Sequence, residues 1–236
     1  RVRSDTANEV ITDRTKIVAV THVGNTTGAI TDIAPIIRRA HEVGAVFVLD
    51  ACQSVPHLKV DFHALDVDFA AWSAHKMYGP TGVGFLYGKR EMLEALPPAN
   101  FGGSMVELAW MDQEAQYMEP PARFEAGTQP VAQVVAAGVA AEWLMNIGME
   151  NLEHERTITD ELLKMGDIDG IRILGPRSNK ERIGTVAFEV EGVHPHDVGQ
   201  FIDAQGIAIR VGHHCAQPVH RHFGVYASNR ASSGIY

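Results

Sequence analysis

The chain has 236 residues, 45% of them hydrophobic, enough for a substantial core in one large domain or two smaller ones. Its formal charge of −9 arises from 20 basic and 29 acidic residues with no block of Lys or Arg, which argues against a nucleic-acid footprint. The longest apolar stretch, residues 131–145, is interrupted by Gln133, Gly138 and Glu142 and is too polar for a membrane span, so the expected partners are small molecules and proteins.

In chain order, residues 17–20 read as a buried strand and residues 32–43 as a helix, with Thr31 as N-cap, Pro35 in the first turn and Gly44 at the end. Residues 45–49 return as a strand, and this spacing predicts a βαβ unit with parallel pairing. A short helix is expected over 61–65, strands over 69–72 and 83–87, and a helix over 89–96 stopped by Pro97 and Pro98. Residues 100–121, rich in Gly, Met and acidic side chains, read as irregular and suited to reaching a second subunit. Residues 131–147 predict a long Ala-rich helix and 151–165 another with a solvated face. Residues 185–190 alternate like a strand, 196–205 are helical after Pro195, and 207–211 form a strand. This order predicts an α/β large domain over residues 1–147 and a smaller α+β domain over 148–236.

Two strand-like runs end in reactive groups. Val46-Phe47-Val48-Leu49 ends at Asp50, and the run over 68–73 leads into Ser73-Ala74-His75-Lys76. Alone, a Lys beside a Gly-Pro turn reads as solvated and an Asp after a strand as a turn cap. Together, at the carboxyl ends of strands where open α/β sheets bind ligands, they match the needs of pyridoxal phosphate. That cofactor requires an amine to hold its aldehyde as a Schiff base and a carboxylate to keep its ring nitrogen protonated.

Cys215, in Gly212-His213-His214-Cys215-Ala216-Gln217-Pro218, is the candidate sulfur nucleophile, which must be exposed and partly thiolate. His213 and His214 are expected to lend it positive character. Cys52, after a core strand, reads as an inert hydrophobe. Two cysteines so far apart suggest no disulfide framework, and with no signal-like segment the reading is a reducing, cytoplasmic setting. Zinc at His213, His214, Cys215, His220 and His222 ranks lower, because adjacent ligands project differently and the spacing matches no finger pattern. No metal is therefore expected, and His220 and His222 read as a polar surface turn.

The segments Thr21-His22-Val23-Gly24-Asn25, Leu49-Asp50-Ala51-Cys52-Gln53-Ser54, Ser73-Ala74-His75-Lys76-Met77-Tyr78-Gly79-Pro80 and Arg210-Val211-Gly212-His213-His214-Cys215-Ala216 resemble, in order over nearly the whole chain, the group II cysteine desulfurases of the SufS/CsdA type. The lysine motif alone resembles the wider class V aminotransferase-like superfamily, and the Arg-x-Gly-His-His-Cys-Ala motif narrows it. The resemblance implies the α/β fold type I of pyridoxal-phosphate-dependent transferases, a mainly parallel sheet flanked by helices, with a smaller C-terminal α+β domain. Carried over, it makes Lys76 the Schiff-base lysine, Asp50 the partner of the pyridine nitrogen, Gln53 a donor to the ring hydroxyl oxygen, and Ser73 and His75 phosphate ligands. Phe124-Glu125-Ala126-Gly127-Thr128 resembles the segment whose Gly and Thr reach the phosphate held by the neighbouring subunit, which implies a homodimer. By chemistry alone, Gly127 and Thr128 read equally well as a helix entry capped by Thr128. Arg230 resembles the arginine that grips the substrate carboxylate with help from Asn25, and Arg210 another active-site arginine.

The implied reaction removes sulfur from L-cysteine. The freed Lys76 amine takes the α-proton, and Cys215 attacks the sulfur, leaving a persulfide and L-alanine. The sulfur would pass to an acceptor protein of the Suf type for iron–sulfur cluster assembly, and L-selenocysteine is expected as a second substrate. A selenocysteine lyase or a kynureninase-like lyase would share Lys76 and Asp50 without needing Cys215, and an inactive truncated scaffold would turn over nothing. The chain begins at Arg1 without an initiator Met and ends within an apparently structured segment, 230–236. It reads as a fragment without the family's N-terminal phosphate loop and ring-stacking His, expected to hold cofactor poorly by itself.

Overall fold

The computed structural model describes residues 4–148 and 153–235. After a short helix α1 (Ala7–Val10), strand β1 (Ile17–Thr21), helix α2 (Ala34–Glu42) and strand β2 (Val46–Asp50) form the expected βαβ unit, with β1 and β2 in parallel. Strand β3 (Phe69–Ser73) adds in parallel to β2 and β4 (Gly84–Gly88) antiparallel to β3, giving the order β1-β2-β3-β4. The two-residue repeat puts Phe47 and Leu49 on one face of β2, where they are fully buried in a core with Ile33, Ile36, Ile37 and Ala40. Burying side chains of this size contributes about 1.5–3 kcal/mol each.

Thr31 does not cap α2. Ile33 occupies the cap position, and the Thr31 hydroxyl donates instead to Thr21 O at 3.2 Å, tying the loop to the end of β1. Gly44 closes the helix as expected, at φ +70 with its N–H on His41 O. Residues 61–65 make turns rather than a helix, because Asp61 Oδ1 accepts the Ala64 N–H and Asp66, at φ +59, reverses the chain. Asp68 then extends the ladder with its side chain. Its Oδ2 accepts the Phe47 N–H at 2.7 Å and lies 3.0 Å from His41 Nε2, while Oδ1 accepts from Lys89 Nζ at 2.8 Å.

Helix α3 (Arg90–Ala95) ends before Pro97. The expected irregular stretch contains a short antiparallel pair, β5 (Val106–Leu108) and β6 (Gln116–Tyr117). Helix α4 (Val131–Ile147) fills its predicted span, and α5 (Glu153–Leu163) continues as a 3-10 turn through Asp167. Residues 151–152 of the helix expected there lie outside the described residues.

The second sheet comprises β7 (Ile171–Leu174), β8 (Thr185–Val190), β9 (Arg210–Gly212) and β10 (Ser228–Ser232) in the antiparallel order β7-β8-β10-β9. Helix α6 (Pro195–Asp203) contributes Val198 to a core with Ile173, Val186 and Phe188. The strand expected over 207–211 is shortened to β9, because β10 pairs with it only along Arg210–Gly212. Residues expected to form a polar surface turn are helix α7 (Gln217–Phe223), with Pro218 in its first turn, where no N–H is needed. His220 on this helix is buried and His222 exposed.

The loop after β1 docks on the second sheet, with Ile183 N–H donating to Gly28 O and Ile30 N–H to Glu181 O. Gly28 has φ +68, and a Cβ there would fall 2.4 Å from Thr185 O, so the close approach requires glycine. No helix among the described residues is long and apolar enough to cross a membrane.

Candidate active site

Asp50 and Lys76 lie at the same edge of the first sheet. Asp50 ends β2, and its parallel neighbour β3 ends at Ser73, from which a 3-10 turn, Ala74–Lys76, presents the amine. Both side chains are exposed. The Asp50 carboxylate is oriented by two donors, Thr21 Oγ1 at 3.3 Å to Oδ2 and the Cys52 N–H at 3.0 Å to Oδ1. Cys52 is half-buried between these groups. Burial first, then the hydrogen bond and charge of Asp50, push its thiol above the ordinary range against a smaller opposing pull from Lys76 and Ser73. Gln53 is half-buried in the turn after Asp50, and His75 is exposed beside Lys76.

Lys76 and His75 line a cavity of about 300 Å³ with His57, Tyr78, Ser232, Ser233 and Gly234. Nothing in the sequence pointed to His57. Its Nδ1 lies 2.9 Å from Oε1 of Glu155, a buried carboxylate on α5 that also accepts the Gly184 N–H at 2.7 Å. The pair therefore bridges the loop after β2 to the second sheet.

Cys215 is exposed on the turn after β9, with Arg210 Nη2 3.7 Å from its Sγ. Arg210 is the cation that meets the sulfur, and the expectation for His214 is corrected. That ring is 2% exposed, and its pKa is pushed down to about 4 by burial first and then by Arg230, His220 and Arg210, so it is neutral. The His213 ring packs edge-on against His220 and Tyr226. Among the described residues, no group of three or more His, Cys, Asp or Glu is arranged to hold a metal ion.

Arg230 faces Arg210 across the β9–β10 pair. Burial first, and then Arg210, hold its pKa below the ordinary value, and its buried Nε has no hydrogen-bond partner among the described residues. Arg230 Nη1 donates to Asn25 O at 2.9 Å, and Asn25 Nδ2 to His214 O at 2.6 Å. Asn25 thus joins the end of the first sheet to the thiol loop, and β10 continues from Arg230 to the cavity beside Lys76. Gly127 and Thr128 stand elsewhere, not among the residues that line this cavity. Thr128 is exposed and does not cap α4, whose cap position is Pro130.

The aminotransferase class-V family profile matches residues 1–236. A probable cysteine desulfurase 2 of Mycobacterium leprae (strain TN) is 50% identical over 95% of this chain and 54% of its own length. Among solved structures, the cysteine desulfurase CsdA of Escherichia coli superposes with a TM-score of 0.90 at 37% identity, over 98% of this chain and 57% of that one. An apo cysteine desulfurase from Thermococcus onnurineus NA1 gives 0.95 at 35% identity, over 100% and 59%. The chain spans about half the length of the curated relatives it matches. At these TM-scores it shares their α/β fold, fold type I, as the motif resemblance implied.

Proposed function

This chain belongs to the aminotransferase class-V family, and from that premise we propose that it carries the catalytic residues of a pyridoxal-phosphate-dependent cysteine desulfurase. One observation carries the reading. Strand β10 starts at Ser228, which is bonded to the thiol loop, and ends at Ser232, beside Lys76, so a single strand serves both amine and thiol.

The residues fit the cofactor. Asp50, oriented by Thr21 and the Cys52 amide, suits a protonated ring nitrogen, and the exposed Lys76 amine suits the aldehyde carbon. Ser73 and His75 would hold the phosphate and Gln53 the ring oxygen, with Gly127 and Thr128 serving the phosphate of a second copy in a homodimer. When bound, pyridoxal phosphate supplies the electron sink that lets a substrate α-carbon lose its proton.

Arg230, with its unsatisfied Nε and an Nη1 fixed on Asn25, grips the α-carboxylate of L-cysteine. Lys76 Nζ holds the α-proton as general base. Cys215 Sγ bonds to the substrate sulfur as the Cβ–S bond breaks. The thiol and L-cysteine become a persulfide on Cys215 and L-alanine, with no outside oxidant. Arg210 donates toward the Cys215 sulfur. The persulfide sulfur then passes to a Suf-type acceptor for iron–sulfur cluster assembly, and L-selenocysteine would enter the same donor set. The amine and carboxylate fall in a large domain, residues 1–147, and the thiol in a smaller one, 148–236. Free thiols at both cysteines support a reducing, cytoplasmic setting.

Borohydride reduction of cofactor-loaded protein, followed by peptide mapping, is expected to leave the cofactor on Lys76. Label on another residue overturns the reading. A selenocysteine lyase would keep its main turnover in Cys215→Ala, whereas here alanine release from L-cysteine should stop.

A further inference from the structure

Cys215 stands on backbone that resists it. His214 and Cys215 have φ of +51 and +60 in succession, and neither is glycine. A left-handed residue bearing a Cβ is sterically strained, so something must hold the pair.

The holding contacts form a closed chain around the thiol. His214 Nε2 is 3.1 Å from Ser228 Oγ, that oxygen is 2.9 Å from His220 Nε2, and His220 Nδ1 is 2.9 Å from Ala216 O. The chain begins on the residue before Cys215 and ends on the residue after it. The tautomers are assigned from these partners. A carbonyl only accepts, so His220 Nδ1 carries a proton, and bare Nε2 accepts the Ser228 hydroxyl proton. The Ser228 oxygen then accepts from His214 Nε2–H. Every donor is used, and Ser228, His214 and His220 are all at least 98% buried.

We propose that Ser228 and His220 are positioning residues for Cys215, forming a clasp that holds the left-handed His214–Cys215 turn and so keeps the thiol beside Arg210. The proposal rests on the reading of Cys215 as the sulfur acceptor. Neither residue touches the reacting atoms. Their effect is carried by His214 on one side of the thiol and Ala216 on the other.

The test is Ser228→Ala in cofactor-loaded protein, which removes the oxygen shared by both rings. Alanine release from L-cysteine is expected to lose about tenfold in kcat, the equivalent of ~1.4 kcal/mol of positioning, with KM within about twofold. Iodoacetamide modification of Cys215, followed by peptide mass spectrometry, should slow severalfold while Cys52 reacts as in the wild type. This second readout needs no turnover, so it decides the clasp even if the wild type releases no alanine and the proposed function itself fails. Should Ser228→Ala not fold, His220→Asn is measured identically, since it keeps an N–H for Ala216 O and removes the acceptor for Ser228. Wild-type alkylation of Cys215 with unchanged kcat, or a fall confined to the melting temperature, overturns the proposal.

Discussion

At the edge of the first sheet, Lys76 and Asp50 are exposed side chains on backbone without positive φ, Asp50 at a strand end with two donors on its carboxylate and Lys76 on the 3-10 turn that follows β3. The thiol in the second sheet stands instead on two left-handed residues pinned by a buried Ser–His–His chain. The amine and carboxylate depend on where parallel strands end, whereas the thiol depends on how α7 and β10 pack around its loop. Substitutions at the first edge should therefore remove chemistry with little loss of fold, and those around the thiol should affect geometry and stability together.

The largest expected effect tests the first half of that contrast. Lys76→Ala should lower kcat by about 10³-fold, the scale of losing a general acid–base group, with an unfolding midpoint near that of the wild type. A large stability loss would show that the amine also serves the fold.

Asp68 sharpens the comparison, because it is a charged group of the first sheet with a structural role. Burial opposes its charge, yet Lys89, the Phe47 N–H and His41 together outweigh burial and hold the carboxyl below its usual range. Its contribution is thus present above the unfolded pKa of about 4 and is lost as pH falls through the lower folded value. Asp68→Asn should cost about 3 kcal/mol in urea unfolding at pH 7, and the deficit should shrink on acidification. A deficit that grows at low pH would contradict this account.

Glu155→Gln addresses the bridge between the two sheets. Keeping the shape but weakening the contacts to His57 and Gly184 should cost about 1–2 kcal/mol and leave cofactor absorbance unchanged. The smallest change is expected from Gly44→Ala. No atom lies within 4 Å of the added Cβ, so only the φ of +70 penalises it, by about 1 kcal/mol, read as a shift in denaturation midpoint.

Much of the first sheet was legible because its signals are local. A short continuous apolar run marked β2, and Gly44 marked the helix end. The span 131–147 needed only its Ala-rich, largely apolar composition. Asp50 and Lys76 were readable because strand ends point at ligands in open α/β sheets. The thiol loop was legible only as a motif. Nothing near Cys215 announces that Ser228 lies under it, since that contact arises from β10 pairing beside β9. His214 was misjudged for the same reason, because adjacency in sequence to the thiol says nothing about burial. His57 went unnoticed because its partner, Glu155, comes from helix α5, 98 residues away in sequence.

Incubating cofactor-loaded protein with L-cysteine and mapping its peptides by mass spectrometry tests the assignment of the thiol most directly. One added sulfur should appear on the peptide bearing Cys215 and none on the peptide bearing Cys52. Sulfur carried on Cys52, or alanine released while Cys215 stays unmodified throughout turnover, would contradict it.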